Sequence, residues 1–209
     1  MAKVKKKKQQ KRGGALMGRS DIPYAQRLAM QHRENIVVNR NHSAKVALYC
    51  LSVAIHEVKG VGYKNLVKFS LAYKEVEDEI YEDLEYGMEK ARRRMEQIGM
   101  PISGELYNIQ VPGLTKRQQQ VHDHALQAAQ VSLIAGAITM NAVFGYGKIV
   151  QDRISERAAE LSERYNREGI QFLLDEMEKI GFPIVDGNVM AYVDGDMKAV
   201  TPKKAEVMK

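Results

Sequence analysis

The sequence predicts a mainly α fold: two tandem repeats, each a helix, a Gly-x-Gly break, a long helix and a β-hairpin, with the two hairpins pairing into one small sheet. Apolar residues recur at three-and-four spacing through most of the chain, the period of an amphipathic helix. "MEQIGMPI" at residues 95–102 returns as "MEKIGFPI" at 177–184. "GVGYKNLVKFS" at 60–70 lines up with "GYGKIVQDRIS" at 145–155, so that Lys68 falls on Arg153, Phe69 on Ile154 and Ser70 on Ser155. Two matches in the same order, with the same break chemistry, predict an internal duplication.

The elements follow in order. Asp21-Ile22-Pro23 starts a helix over 23–34, with Pro in its first turn. The run "NIVVNRN" interrupts it. The next helix covers 43–58, with Ala44, Ala47, Leu48, Leu51, Ile55 and Val58 on its apolar face. Gly60 and Gly62 break it. Tyr73, Val76, Ile80, Leu84, Met88, Ala91, Met95 and Ile98 form one stripe and predict a long helix over 64–98, stopped by Gly99 and Pro101. "PISGELYNIQV" holds Ser-Gly between two β-capable runs and predicts a hairpin. After Pro112-Gly113, Thr115 and Gln118 form a capping box for a helix to residue 143. "FGYGK" breaks that helix, another covers 148–180, and the Asp-Gly of "FPIVDGNVMAYV" predicts the second hairpin. A lone hairpin is marginal in water, which is why the two are expected to pair. The resulting division is a disordered basic tail (1–19), a first repeat with an extra N-terminal helix (20–113), a second repeat (114–195) and a C-terminal tail (196–209). The repeats share one core.

Composition narrows the class. With 44% hydrophobic and 28% charged residues the body is globular, and with no Trp, four Phe and 11 Met its core is aliphatic with Met filling gaps. Cys50 is the only cysteine, so no internal disulfide forms, and its apolar run "VALYCLSVAI" makes it a buried hydrophobe. The basic N-terminus leads into no apolar segment, against a secretory signal. The run "VSLIAGAITM" is too short to span a bilayer, and the expected location is the cytoplasm. Net charge is +6, but Lys3, Lys5, Lys6, Lys7, Lys8, Lys11 and Arg12 carry seven of the 32 cations with no acid among them. The remaining 25 face 26 acids, so the body is close to neutral and a charge-driven attraction to nucleic acid belongs to the tail.

The break at 60–62 carries the sharpest chemical signal. "IHEVKGVGYKNLVKF" resembles the helix-hairpin-helix motif, apolar-x-x-apolar-x-Gly-apolar-Gly-x-x-x-small, with Ile55, Val58, Gly60, Val61 and Gly62 filling the pattern. Leu66 stands where a small residue is usual. The resemblance implies that backbone N–H groups of the hairpin and the N-terminus of the second helix hold a DNA phosphate, where free amides and the helix dipole favour an anion. Lys59, Lys64 and Lys68 add charge beside it. The second copy offers Gly145, Tyr146, Gly147, Lys148 and Arg153, and Lys5, Lys6, Lys7 and Lys8 of the tail add sequence-independent attraction. The same glycines equally suit a C-cap and a tight turn between packed helices. The apolar helix, His or Asn, Gly-aromatic-Gly and following cation also resemble small phage and prophage proteins of Gram-positive bacteria. His56 and Asn141 each sit four residues before the first glycine.

Other features are read as structural. The acids of "KEVEDEIYEDLEYGMEK", among them Glu75, Glu77 and Asp78, form a solvated face. His122 and His124 point apart on a helix and do not make a metal pair. Arg92, Arg93 and Arg94 suit a helix C-terminus. No P-loop, nucleophile elbow, Cys-x-x-Cys or His-Glu-x-x-His is present. The expected function is non-enzymatic nucleic-acid binding through phosphates, with no cofactor and no membrane partner. The alternative is a phage-encoded accessory factor or inhibitor that binds a host or phage protein.

Overall fold

In the computed structural model the residues described are 24–102 and 111–200. They form six helices and a three-stranded sheet: α1 (Tyr24–Lys59), α2 (Tyr63–Glu82), α3 (Leu84–Gln97), α4 (Lys116–Phe144), α5 (Lys148–Glu168), α6 (Ile170–Lys179), β1 (Ile184–Val185), β2 (Asn188–Val193) and β3 (Asp196–Ala199). The fold is mainly α, as expected.

Three boundaries differ from the sequence reading. "NIVVNRN" does not interrupt α1, which runs unbroken for 36 residues. No Gly or Pro lies within it, and β-branched residues and Asn cost only about 0.5 kcal/mol each in a helix already nucleated on both sides. The helix expected over 64–98 is two: Asp83 leaves helical geometry and its carboxylate accepts the Tyr86 N–H at 3.2 Å, starting α3. The helix expected over 148–180 divides at Gly169, whose φ is +83°.

α1 and α4 lie side by side and run the same way. His32 meets Gln120 near their starts, Gly136 faces Leu51 midway, and Lys59 lies over Tyr146 just past their ends. Each following helix then returns along the other half's first helix. α2 packs on α4, where Ser132 bonds Glu77 and Phe144 stacks on Phe69. α5 packs on α1, where Glu57 pairs with Arg157 and His42 bonds Tyr165. The halves interlock around one hydrophobic core that draws on all six helices and the sheet.

The sheet is a meander, β1-β2-β3, with Ile184 opposite Val189 and Met190 opposite Ala199. Asp186-Gly187 and Asp194-Gly195 turn its corners, all four residues at positive φ, as two-residue hairpins require. The chain therefore stays in the sheet through Ala199 instead of leaving it at residue 196. All three strands follow α6, and the hairpin expected in the first repeat falls on 103–110, outside the described residues. The sheet rests on α1 and the start of α2: Tyr49 Oη accepts the Val189 N–H, Tyr63 Oη accepts the Tyr192 N–H, and Tyr63 meets Phe182 edge-on at 5.0 Å.

The capping box forms as expected. Thr115 Oγ accepts the Gln118 N–H, and Gln118 Oε1 accepts the Thr115 N–H at 2.9 Å. Thr115→Ala should cost about 1 kcal/mol, measured as a lower urea midpoint at unchanged m-value. α4 is long and apolar enough to cross a membrane by length and composition, yet over half of its apolar window is buried inside the fold, as in a core helix.

Candidate nucleic-acid interface

The two Gly-x-Gly turns adopt the same backbone. Gly60 and Gly145 sit at φ +66° and +67°, the left-handed conformation that ends a helix and favours glycine. Their amides bond the His56 and Asn141 carbonyls at 2.7 and 2.8 Å. The side chains of those two residues then reach across the turn. His56 Nδ1–H donates to the Val61 carbonyl (2.9 Å), and Asn141 Nδ2–H to the Tyr146 carbonyl (3.3 Å). His56 is thus a clasp on the turn, and Asn141 performs the same task in the second half.

The second glycine of each turn differs in kind. Gly62 and Gly147 are the N-caps of α2 and α5, with φ −77° and −85° and extended ψ, which any L-residue adopts. A Cβ built on either meets nothing within 4 Å. Neither carries a capping side chain. The Gly62, Tyr63 and Lys64 amides, and those of Gly147, Lys148 and Ile149, have no protein acceptor among the described residues. Ser, Thr, Asp or Asn at an N-cap would satisfy one of those amides and strengthen the helix. The fold thus accounts for Gly60 and Gly145 but requires glycine at neither 62 nor 147.

The structure brings the turns together at one end of the molecule. Lys59 Nζ stands 5.5 Å from the centre of the Tyr146 ring, a cation–π contact between the first turn and the second. Tyr146 in turn packs on Phe144 at 5.1 Å. Val61 and Tyr146, the middle residues, are half-buried against the core, while Lys59, Lys64 and Lys68 are exposed and make no ion pair among the described residues. Lys148 is held by Asp152 on its own helix at 2.6 Å, and Arg153 is exposed with no ion pair among the described residues. The first turn is therefore the more cationic. Lys5, Lys6, Lys7 and Lys8 lie outside the described residues.

One acid breaks the expectation of a solvated face. Glu77 is 1% exposed, inside the α2–α4 contact. Tyr73 Oη–H and Ser132 Oγ–H both donate to its Oε1, at 3.1 and 2.8 Å. Burial raises its pKa above the ordinary carboxylate value, opposed by those hydrogen bonds. The visible signal was spacing, since Glu77 follows the buried Tyr73 by four residues and precedes Ile80 by three. Elsewhere in the run, Glu79 pairs with Lys90 and Arg94. Burial pushes the Cys50 thiol up to about 12, so it stays protonated and inert. Among the described residues no three His, Cys, Asp or Glu side chains gather as a metal site would need.

No protein-family model matches the chain, and no curated protein or solved structure matches it.

Proposed function

We propose that the protein binds nucleic acid without catalysis, gripping backbone phosphates with the paired turns around Gly62 and Gly147 while the lysine-rich N-terminus adds sequence-independent attraction. The observation that carries this reading is the second glycine of each turn. At an exposed helix N-terminus with three free amides, the fold forgoes a capping side chain it has room for. An approaching phosphate oxygen explains the omission, because a Cβ would stand in its way and a capping oxygen would compete for the same amides. Lys59, Lys64 and Lys68 line the first turn, and Arg153 follows the second. Contacts of this kind position a backbone without reading bases, so sequence preference is weak. The reading takes the two halves as copies of one helical unit. Its support is the shared turn geometry and the shared caps of α3 and α6, where the Met100 and Phe182 amides bond the Met95 and Met177 carbonyls.

A salt-titrated gel shift with duplex DNA, single-stranded DNA and RNA tests the reading. Gly62→Ser should leave the protein as stable as before or a few tenths of a kcal/mol more stable, yet weaken binding about tenfold, about 1.4 kcal/mol. Gly62→Glu should abolish it. Deleting residues 1–12 should reduce the slope of log K against log salt by several units, since each phosphate contact contributes about 0.9. An intact protein that retards none of these nucleic acids at low salt ends the reading, as does a Gly62→Glu variant that binds like the parent.

A further inference from the structure

The interlocked fold creates the same wedge twice. In the first half the wedge between α2, α4 and α1 is filled. Tyr73 and Glu77 are buried there, Ser132 bridges to them from α4, and Tyr81 lies under Arg40 of α1 at 4.8 Å. The 85-residue correspondence that pairs Ser70 with Ser155 puts Ala158 where Tyr73 stands, Ser162 where Glu77 stands and Asn166 where Tyr81 stands. The second wedge, between α5, α1 and α4, is consequently open. It holds a cleft of about 630 Å³, within the size range of small-molecule sites.

The walls restrict what fits. Among the described residues that line it, none is Asp, Glu, Lys or Arg, in a chain that is 28% charged. Val46, Leu51, Ile134 and Met140 make the interior apolar, and Met95 and Met100 from the end of α3 bring adaptable thioethers to one side. Polar groups collect at one end, where His42 and Tyr165 share a hydrogen bond and Asn166 lies beside them. Partial desolvation and the nearby Lys45 hold the His42 imidazole below its ordinary pKa, so the ring is neutral near pH 7 although His42 lies exposed at the cleft's rim. With His42 in its Nδ1–H tautomer, Nε2 accepts from the Tyr165 hydroxyl, which keeps lone pairs able to accept from a ligand.

We propose that this cleft binds a small uncharged molecule with an apolar body and a single hydrogen-bond donor, the donor placed at the Tyr165 hydroxyl. It is separate from the paired turns and does not depend on nucleic-acid binding. An anionic ligand meets no cation among the described wall residues. An amphipathic helix, about 10 Å across with its side chains, is too bulky for the space.

The probe is N-phenyl-1-naphthylamine, uncharged and with one N–H, titrated into the full chain by fluorescence. One saturable site with Kd near 10 µM or tighter is expected. Asn166→Tyr and Ser162→Phe, which fill the cleft as the first half is filled, should each weaken binding at least tenfold while the thermal transition stays cooperative. Tyr165→Phe, which removes only the hydroxyl, should weaken it about threefold to tenfold. Gly62→Glu should leave it unchanged, which keeps the outcome independent of the turns. No saturable signal up to about 100 µM overturns the proposal. So does parental affinity in either filling variant. Should both filling variants lose their cooperative transition, parental affinity in Tyr165→Phe overturns it.

Discussion

Gly87→Ala should lower the unfolding free energy by about 2–3 kcal/mol, although it places alanine inside a helix. On propensity alone the exchange would gain about 1 kcal/mol. The opposite sign follows from the way α3 folds back on α2. A Cβ on Gly87 would stand 2.7 Å from both the Ile80 Cα and its carbonyl oxygen. Those are backbone atoms of a buried helix, which cannot turn aside as a flexible side chain can. The Asp83 break and its carboxylate cap hold Gly87 there, with the Gly87 N–H bonded to the Asp83 carbonyl. Urea unfolding of the variant measures the effect. A midpoint equal to or above the parent's would show that α3 does not approach α2 this closely.

Glu77→Ala should cost about 2–4 kcal/mol, because it leaves the Tyr73 and Ser132 hydroxyls buried without their acceptor and opens a void. Glu77→Gln should be tolerated, since the amide oxygen accepts both bonds and no charge is buried. Glu77 also differs from Glu79 in pH response. Glu77 has a folded pKa above its unfolded value of 4.5, so between the two the folded state binds more protons. Its contribution is most favourable below the unfolded pKa and is lost as pH rises through the folded one. The groups facing it are Tyr73, Asp78 and Tyr81 on its own helix, Arg40 on α1 and Ser132 on α4. Half-buried Glu79, on the same helix, has its pKa held down by Lys90 and Arg94 and slopes the other way. The difference between parent and Glu77→Gln, followed from about pH 4 to pH 8, isolates the one residue. The parent should lose stability relative to Gln as pH rises. A flat difference would mean Glu77 is solvated in the folded protein.

Much of the local structure was legible from the chain. The capping box at Thr115, the Gly-x-Gly turns, the Asp-Gly hairpin and the Ile-Gly ends of α3 and α6 all rest on residues whose conformational demands are local. Asp83 divides a helix inside a continuous apolar stripe, where periodicity carries no mark because both sides bury the same face. A lone glycine such as Gly169 is tolerated within a helical pattern, and its positive φ ends α5 instead. "NIVVNRN" looked like a break on propensity, and a helix anchored at both ends overrode it. Of the candidate site, the turn residues were identified in sequence, including His56 and Asn141, whose shared position four before the glycine becomes a shared clasp. The burial of Glu77 was missed because the face of α2 is widened by two packing partners at once.

By itself the sequence determined that the protein is mainly helical, that it turns at the two Gly-x-Gly breaks, and that its two halves share a pattern. Only the tertiary structure decided how those halves combine. Parallel packing of α1 with α4 brings two turns, 85 residues apart in sequence, to the same end of the molecule, where Lys59 covers Tyr146. It also exchanges the returning helices, so that α2 buries Tyr73 and Glu77 against α4 while α5 presents Ala158 and Ser162 to a cleft beside α1. Local preferences act over a few residues, whereas these relations depend on which apolar faces meet across the core.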